Sequence, residues 1–331
     1  MKVFNLAATA VVASFAATVT FAQDKVVFGT NWLAQGGHGG FYQAVADGTY
    51  AEYGLEVEIM MGGPQVNNRP MLPAGRLDFL MGGNMLQAFD AARNGIPTTV
   101  VAAMYQKDPQ AVLAHKDKYA NFEALASADT IYIGKDGQFS FWQWMTKNHG
   151  FRDENLLPYT YNIGPFLANE AAVQQAYATS EPIAAAKEGV ETDIFLLADY
   201  GWDTYASTIE ARTEMVAEDP DLVRRFVEAS IIGWYNFMYG DNQAAFDLIT
   251  AANPEMSNEK LAAEVQLMKD LGIVDSGLTL EQGIGAMDPA RTAAFLTSLE
   301  DAGILDPGAV DLDLVADYSF VNQGLGIDLR K

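Results

Sequence analysis

Short apolar segments alternate with helix-like segments over much of this chain, from Lys25 to about residue 200. Segments such as TTVVAAMY are nearly continuous in apolar residues, which is typical of strands that are buried on both faces. Strands that alternate with helices usually form a largely parallel sheet covered by helices on both sides. The pattern therefore predicts an α/β fold.

Individual elements follow from the same pattern. The predicted strands are, in chain order, VVFGT, LEVEIMM, DFLMGG, TTVVAAMY, AVLAHK, DTIYIGKD, PYTYNI and DIFLLADY. Helices are predicted over 39–53, 67–75, 85–94, 139–150 and 165–177. Gly54 and Gly95 come just after two of these helices, where a left-handed residue commonly ends a helix.

The pattern changes after Arg212, where only helical periodicity remains. Asp219-Pro220 and Asp288-Pro289 each combine an N-cap residue with a first-turn proline, and Gly303 is placed to end the second of these helices. The sequence thus predicts two α/β lobes and a helical tail, with the chain crossing between the lobes more than once. The expected division is a leader at 1–22, a first lobe with the C-terminal helices at 23–115 and 210–331, and a second lobe at 116–209.

Charge and composition exclude some classes of partner. The chain has 20 Lys and Arg against 43 Asp and Glu, a formal net charge of −23. Nucleic acids and anionic membrane surfaces are bound through clustered basic residues, so neither is an expected partner. Overall acidity does not restrict a small ligand, because a few local groups determine its site.

The first 22 residues have the features of a signal peptide. Lys2 precedes an apolar run from Leu6 to Val19, and Thr20-Phe21-Ala22 offers small residues for cleavage. The alternative, a buried N-terminal helix, is disfavoured because no polar face interrupts the run. No later segment resembles a transmembrane helix, and the absence of cysteine excludes disulfides and a lipid-bearing N-terminal cysteine. We expect export to the periplasm without a lipid anchor.

Glycine-rich segments follow three predicted strands, at 36–40, 62–63 and 82–83. Open α/β sheets bind ligands beyond the carboxyl ends of their strands, so these segments are expected to meet at one edge that faces the other lobe. The ligand candidates in this half are Trp32, with a flat face, His38 between glycines, Tyr42 one helical turn later, Gly62, Gly63, Gly83 and Asn84. Structural alternatives remain, because Trp32 could pack under its loop, while His38 and Asn84 could simply cap helices.

The second half supplies candidates of the same kind. Gln138 lies at the start of a predicted helix, and Tyr161 and Asn162 lie at the end of a predicted strand. Glu181 precedes Pro182, where its carboxylate could accept two hydrogen bonds from an amino-heterocycle or cap the following helix. We expect these four side chains on the second wall of the cleft.

Catalytic, metal and cofactor motifs are missing from the sequence. Gly-Gly-His-Gly-Gly at 36–40 is similar to an esterase oxyanion-hole segment, but no G-x-S-x-G elbow accompanies it. The histidines at 38, 115 and 149 are far apart, and no H-E-x-x-H, P-loop or G-x-G-x-x-G motif occurs. We therefore expect no catalytic residues, no bound metal and no cofactor.

Three segments together resemble a known family. They are TNWLAQGGHGGFYQAVADGTYAEYGLEVEI at 30–59, PAGRLDFLMGGN at 73–84 and AYATSEPIAAAKEG at 176–189. In this order and spacing the chain resembles periplasmic substrate-binding proteins of ABC importers, in the SsuA/THI5-like (NMT1) group. The resemblance covers about residues 25–240. It implies the type II-like periplasmic-binding-protein fold, whose two lobes are mostly parallel sheets flanked by helices.

The resemblance also implies positions for the site. Asn31, Trp32 and His38 would form one wall, and the loop 82–84 with Gln138, Tyr161 and Glu181 would make the other contacts. In pyrimidine-binding members an aromatic side chain stacks on the ring, a role that Trp32 suits. Fungal pyrimidine synthases resembling this fold carry a cysteine-rich motif, and the absence of cysteine here disfavours that activity.

The expected function is capture of a small planar nutrient, such as a pyrimidine-like N-heterocycle, between two lobes that close about a hinge. The protein is expected to act as a monomer and to deliver the ligand to the permease subunits of an ABC importer. The only basic candidates are Arg69 and Lys135, which disfavours the alternative ligands, namely sulfonates, taurine and nitrate. An enzyme using His38 and Glu181, and a sensor subunit, are further alternatives.

Overall fold

The computed structural model describes residues 23–63 and 66–330. The predicted signal peptide at 1–22 lies outside the described residues. Within them, no helix combines the length and the apolar composition that crossing a membrane requires.

In the described part of the chain, ten strands form two five-stranded sheets. The strands are β1 Asp24–Gly29, β2 Leu55–Met60, β3 Phe79–Met81, β4 Thr98–Tyr105, β5 Gln110–His115, β6 Ile131–Ile133, β7 Leu156–Pro158, β8 Val173–Tyr177, β9 Thr192–Leu196 and β10 Ala206–Arg212. The first sheet has the order β2-β1-β3-β10-β4, and the second has the order β7-β6-β8-β5-β9.

Each sheet consists of parallel strands and one antiparallel strand. In the first sheet β1 pairs in parallel with β2 and β3, whereas β10 runs antiparallel between β3 and β4. In the second sheet β6 pairs in parallel with β7 and β8, whereas β5 runs antiparallel between β8 and β9. The predicted two-lobed fold with mostly parallel sheets is confirmed.

The chain crosses between the sheets twice, and each crossing leads into the antiparallel strand of the sheet it enters. The first crossing is residues 106–109, between β4 and β5, and the second crossing is residues 197–205, between β9 and β10. Strand β5 therefore belongs to the second sheet, although the sequence assigned 110–115 to the first lobe. We propose lobe boundaries at the two crossings, in place of the predicted boundaries after 115 and before 210.

Thirteen helices, as the described residues have them, cover the sheets and form the tail. They are α1 Gly39–Ala46, α2 Thr49–Glu52, α3 Met85–Arg93, α4 Lys135–Gln138, α5 Phe141–His149, α6 Gly164–Leu167, α7 Glu181–Lys187, α8 Thr213–Glu218, α9 Pro220–Tyr239, α10 Gln243–Ala252, α11 Asn258–Asp270, α12 Thr279–Gln282 and α13 Pro289–Asp301.

The tail packs on the first sheet through its longest helix, α9. Phe226 of α9 stacks on Phe79 of β3 with ring centroids 4.0 Å apart, and it also contacts Phe28 of β1. The predicted helix starts are confirmed, because Asp219 accepts a hydrogen bond from the backbone N–H of Leu222, and Asp288 caps α13 in the same way. Burial of this aromatic cluster joins the tail to the first lobe.

Several predicted elements are wrong for local reasons. The predicted helix 39–53 is interrupted at Gly48, whose φ is +81°. Of the predicted helix 67–75, only a 3-10 turn at Arg69–Met71 forms, since Pro70 and Pro73 provide no backbone N–H.

Two elements of the second lobe and one strand of the first sheet also differ from the prediction. The predicted helix 165–177 is instead the short α6 followed by the buried strand β8, whose two glutamines hide its strand character. The predicted strand PYTYNI, 158–163, shares only its first residue with β7, Leu156–Pro158, and Tyr161 within it adopts a left-handed backbone conformation with φ +61°. Strand β10 was not predicted, since Ser207 and Glu210 interrupt its apolar pattern.

Candidate functional site

The carboxyl ends of strands from both sheets carry the predicted ligand residues. Trp32 follows β1, Asn84 follows β3, Tyr161 follows β7 and Glu181 follows β8. Parallel strands bring such positions to one edge of a sheet. A site between the lobes requires side chains from the two sheets to meet.

Trp32 and Tyr161 meet across the two lobes. Their ring centroids are 6.2 Å apart and the rings are tilted by 41°. Tyr161 also contacts Tyr159, with ring centroids 5.2 Å apart. An aromatic surface contributed by both sheets therefore lies where the sequence predicted the cleft, and indole and phenol faces of this kind suit a planar ring.

Tyr161 has an unusual conformation for a large side chain. Its φ of +61° lies in the left-handed region, and its side chain is 60% exposed. Non-glycine residues in this region are strained and occur preferentially at functional sites. An exposed aromatic ring held in strained backbone is consistent with a role in binding.

Glu181 lies beside this aromatic surface and is already hydrogen-bonded. One carboxylate oxygen accepts from the Tyr159 hydroxyl at 3.1 Å, and the other accepts from the Tyr177 backbone N–H at 2.8 Å. Burial raises the pKa of Glu181, and these hydrogen bonds and Lys260 oppose the rise. The carboxylate thus helps to fix the start of α7 and keeps some capacity to accept a ligand N–H.

The glycines at 39 and 40 serve helix packing. A Cβ atom on Gly39 would lie 1.9 Å from Phe237 Cζ, and one on Gly40 would lie 2.2 Å from Trp234 Cγ. Both aromatic residues belong to α9, so α1 can approach α9 closely only because these positions lack side chains. This requirement for close packing accounts for half of the Gly-Gly-His-Gly-Gly motif.

His38 and Tyr42 lie inside the first lobe. The His38 side chain is 0% exposed, and neither ring nitrogen has a hydrogen-bond partner among the described residues. Burial lowers the pKa of His38 to about 3 and raises the pKa of Tyr42 to about 12. Both side chains are thus largely removed from solvent in this arrangement, and the His38 side chain does not form the helix cap that was its structural alternative.

The sequence did not identify Glu264, a buried acid that contacts the same loop. This residue of α11 is 2% exposed, and its Oε2 accepts a hydrogen bond from the Gly36 backbone N–H at 2.6 Å. Burial raises the pKa of Glu264 to about 7, although Lys260 and the Gly36 bond oppose this rise. Nothing in the sequence distinguishes this Glu from the exposed acids of an amphipathic helix.

Asn84 connects the first lobe to both crossings. Its Oδ1 accepts from the Leu86 backbone N–H at 3.1 Å, so the helix-capping alternative is confirmed, and its Nδ2 donates to Asp108 at 2.8 Å. Asp108, in the first crossing, also accepts from the indole N–H of Trp202 in the second crossing at 3.2 Å. Burial raises the pKa of Asp108. The Asn84 amide thus has a hydrogen-bond partner within the protein at both its oxygen and its nitrogen.

The other glycine segments allow close backbone approach. A Cβ atom on Gly62 would lie 2.7 Å from the carbonyl oxygen of Thr30, next to the exposed Asn31. Gly63 is less crowded, because a Cβ atom on it would lie 3.3 Å from its nearest neighbour, the Leu33 side chain. At Gly83 the backbone N–H already donates to the Gln87 side chain at 2.9 Å.

Gln138 and Asn162 both use part of their amide groups locally. Gln138 Nε2 donates to the Ile133 carbonyl oxygen at 2.9 Å, and Asn162 Oδ1 accepts from the Gly164 backbone N–H at 2.9 Å. Each amide retains one group for another partner.

Arg69, one of two basic candidates, is neutralised inside the first lobe. Its guanidinium forms a two-pronged ion pair with Glu210, with both N–O distances at 3.1 Å. The Glu210 side chain is 1% exposed and the Arg69 side chain is 30% exposed, so the ion pair is buried on its carboxylate side. Lys135, the other candidate, lies exposed in α4. Within the described ranges, no group of three or more His, Cys, Asp or Glu is placed to hold a metal ion.

Comparisons with known proteins agree with this architecture. The NMT1/THI5 like family model matches residues 35–245. The riboflavin-binding protein RibY of Chloroflexus aurantiacus is 27% identical over 302 residues, covering 86% of this chain and 82% of RibY.

Solved structures share the fold at low sequence identity. The periplasmic aliphatic sulphonate binding protein SsuA from Escherichia coli has a TM-score of 0.65 and 12% identity, covering 88% of this chain and 91% of SsuA. The periplasmic nitrate-binding protein NrtA from Synechocystis PCC 6803 has a TM-score of 0.59 and 13% identity, covering 90% of this chain and 87% of NrtA. The chain therefore belongs to the NMT1/THI5-like family and has the fold of the periplasmic binding proteins.

Proposed function

We propose that this protein is the solute-binding component of an ABC importer, which captures a planar N-heterocycle between its lobes in the periplasm. Ligand binding closes the lobes about the two crossings, and the closed form delivers the ligand to the permease. Membership of the family and the two-lobed fold support the binding role. The chemistry of the cleft supports the ligand class.

The observation that carries the proposal is the contact between Trp32 and Tyr161. The two rings come from different sheets, so a flat ligand held by them would contact both lobes at once. A ligand shifts a conformational equilibrium only through a difference in its affinity for the two states. Contact with an aromatic ring on each lobe provides such a difference, because only a closed arrangement allows both contacts.

The charges in the cleft favour a neutral ligand over a small anion. Arg69 is paired with Glu210, and Lys260 acts electrostatically on two buried carboxylic acids, Glu181 and Glu264. Sulfonate or nitrate would need dedicated positive donors. A heterocycle with N–H groups can instead use the remaining acceptor capacity of Glu181.

RibY suggests the first compound to test. Riboflavin is a planar heterocycle with a pyrimidine-type ring, and stacking on an indole or a phenol quenches its fluorescence. We expect quenching that saturates at one riboflavin per chain, or equivalent calorimetric binding of an aminopyrimidine. Taurine and nitrate should not compete.

Two results would refute the proposal. Tight binding of taurine or nitrate without any response to the heterocycles would assign the protein to anion uptake. Conversion of a bound heterocycle into a product would indicate an enzyme, whereas a binding protein releases the ligand unchanged on denaturation.

A further inference from the structure

The helical tail contacts both crossings between the lobes through one side chain. Arg291, in the first turn of α13, donates from Nε and Nη2 to Asp203 of the second crossing at 2.9 and 2.6 Å. The same Nη2 donates to the backbone carbonyl oxygen of Gln106, in the first crossing, at 2.6 Å. The guanidinium also lies over the ring of Tyr205, 4.1 Å from its centroid. One arginine therefore joins three segments of the chain.

Backbone hydrogen bonds strengthen the connection between the tail and the crossings. The Gln106 backbone N–H donates to the Ile273 carbonyl oxygen at 2.7 Å, and the Gln106 side chain donates to the Ala286 carbonyl oxygen at 2.9 Å. The Asp288 backbone N–H donates to the Tyr205 hydroxyl oxygen at 2.8 Å. The path of both crossings is thus fixed against the tail.

A cavity of about 350 Å³ lies beside this contact. It is lined by Lys107, Ala198 and Tyr205 of the crossings and by the tail segment 276–278, and Arg291 itself borders it. None of the predicted ligand residues lines this cavity. The cavity opens to solvent and no side chain fills it, so the crossings have room to move there once their connection to Arg291 is broken.

We propose that Arg291 is a positioning residue of the hinge, which fixes the angle between the lobes by holding both crossings against the tail. Asp203 is 60% exposed, so its ion pair with Arg291 contributes little to folding stability. The bond to Gln106 and the contact with Tyr205 instead determine where the crossings lie. The tail thus has a second role, which is to set how readily the cleft closes.

The distance between the lobes provides a direct test, because the chain contains no cysteine and two spin labels can be placed uniquely. Glu56→Cys in the first lobe and Glu188→Cys in the second are exposed labelling positions. In the ligand-free, doubly labelled protein, Arg291→Met should shift or broaden the interlobe distance distribution. Arg291→Lys, which keeps the charge and loses the fork geometry, should give an intermediate distribution.

Hydrogen exchange separates this role from a general loss of stability. Arg291→Met should accelerate exchange of the Gln106 and Lys107 amides by about fivefold or more, while amides of β4 next to them keep their parent rates. Arg224→Met is the matched control, since it removes an exposed arginine that pairs with Asp221 far from both crossings in the chain. That control should change neither the distances nor the exchange rates.

A second variant tests the cavity and does not depend on the folding of Arg291→Met. Ala198→Phe would fill the space beside the second crossing while it leaves the Arg291 contacts in place, and it too should shift the distance distribution. Parent-like distances in both variants, or exchange that accelerates equally in both sheets, would overturn the proposal. These measurements need no ligand, so their outcome is independent of the proposed ligand class.

Discussion

At the scale of single residues, the aromatic pair at the cleft and the buried acid behind it have different roles. Trp32 and Tyr161 present ring faces from opposite lobes. Glu264 instead accepts a hydrogen bond from the Gly36 backbone N–H and so fixes the loop at this position. A substitution in the aromatic pair should therefore change ligand affinity, whereas a substitution of Glu264 should change the response of stability to pH.

Trp32→Ala should weaken riboflavin binding by roughly 1 to 3 kcal/mol, because it removes the indole on which the ring stacks. Titration by fluorescence quenching measures the affinity, and circular dichroism checks the fold. Trp144→Phe is the matched control, because Trp144 is a buried indole of α5 in the core of the second lobe. Unchanged affinity for Trp32→Ala in a folded protein would assign Trp32 a purely structural role.

Glu264→Gln should flatten the dependence of stability on pH. Burial raises the folded-state pKa from 4.5 to about 7, so in this window the folded chain binds more protons than the unfolded chain. The contribution of Glu264 to the free energy of unfolding therefore falls as pH rises through the window, by about 2 to 3 kcal/mol. The variant should lack this loss.

Urea unfolding at pH 5 and pH 8 measures the difference for Glu264→Gln and for the exposed control Glu255→Gln. If the wild type and Glu264→Gln lose the same stability between these pH values, the carboxyl is already ionised at pH 5. The control should follow the wild type.

Residue type and position predicted that Trp32 and Tyr161 are ligand candidates, since an aromatic side chain near the end of a strand is recognisable in the sequence. The same reasoning could not place His38, because its burial depends on how α1 packs against the tail. Glu264 was missed because a lone buried acid has the same helical spacing as an exposed one. The role of each candidate as a ligand contact remains a prediction.

At the scale of elements, the packing of α1 against α9 explains the glycine-rich start of α1. Gly39 and Gly40 face Phe237 and Trp234, and on the other helix a Cβ atom on Gly233 would lie 2.4 Å from the Gly40 carbonyl oxygen. The two helices approach each other through glycines on both sides. The sequence signal that suggested a ligand loop was in part a signal for close helix packing.

Gly40→Ala should destabilise the protein by about 1 to 3 kcal/mol, because the new methyl group overlaps the Trp234 ring in a packed core. The higher helix propensity of Ala would only partly offset this cost. Thermal or urea unfolding measures the change. Gly63→Ala is the control, since a Cβ atom at this position would lie 3.3 Å from its nearest neighbour, the flexible Leu33 side chain. A stability equal to wild type would show that α1 and α9 can separate without cost.

Local pattern predicted most elements of the first sheet, including β4 over its full length. It failed where tertiary contacts decide the structure. Strand β10 pairs between β3 and β4 and carries the buried Glu210, whose charge is balanced by Arg69 from a distant loop. Strand β8 has two buried glutamines, which a helix would accommodate equally well.

At the scale of the whole molecule, two crossings join the two lobes, and the helical tail contacts both crossings. Each sheet receives its antiparallel strand from a crossing, so movement of one lobe against the other must bend residues 106–109 and 197–205. The ligand and the tail would then both act on the equilibrium between open and closed lobes. The ligand would act through the aromatic pair, and the tail would act through Arg291.

In the proposed site, loops from both sheets contact one planar heterocycle. Native mass spectrometry of the protein as purified, and of the Trp32→Ala/Tyr161→Ala variant, shows whether this site exists. The wild type should carry one small molecule per chain, whose mass and absorption after denaturation are those of an unmodified heteroaromatic compound, and the variant should have lost it. Retention of the same molecule by the folded variant, or recovery of a non-aromatic anion from the wild type, would contradict the account.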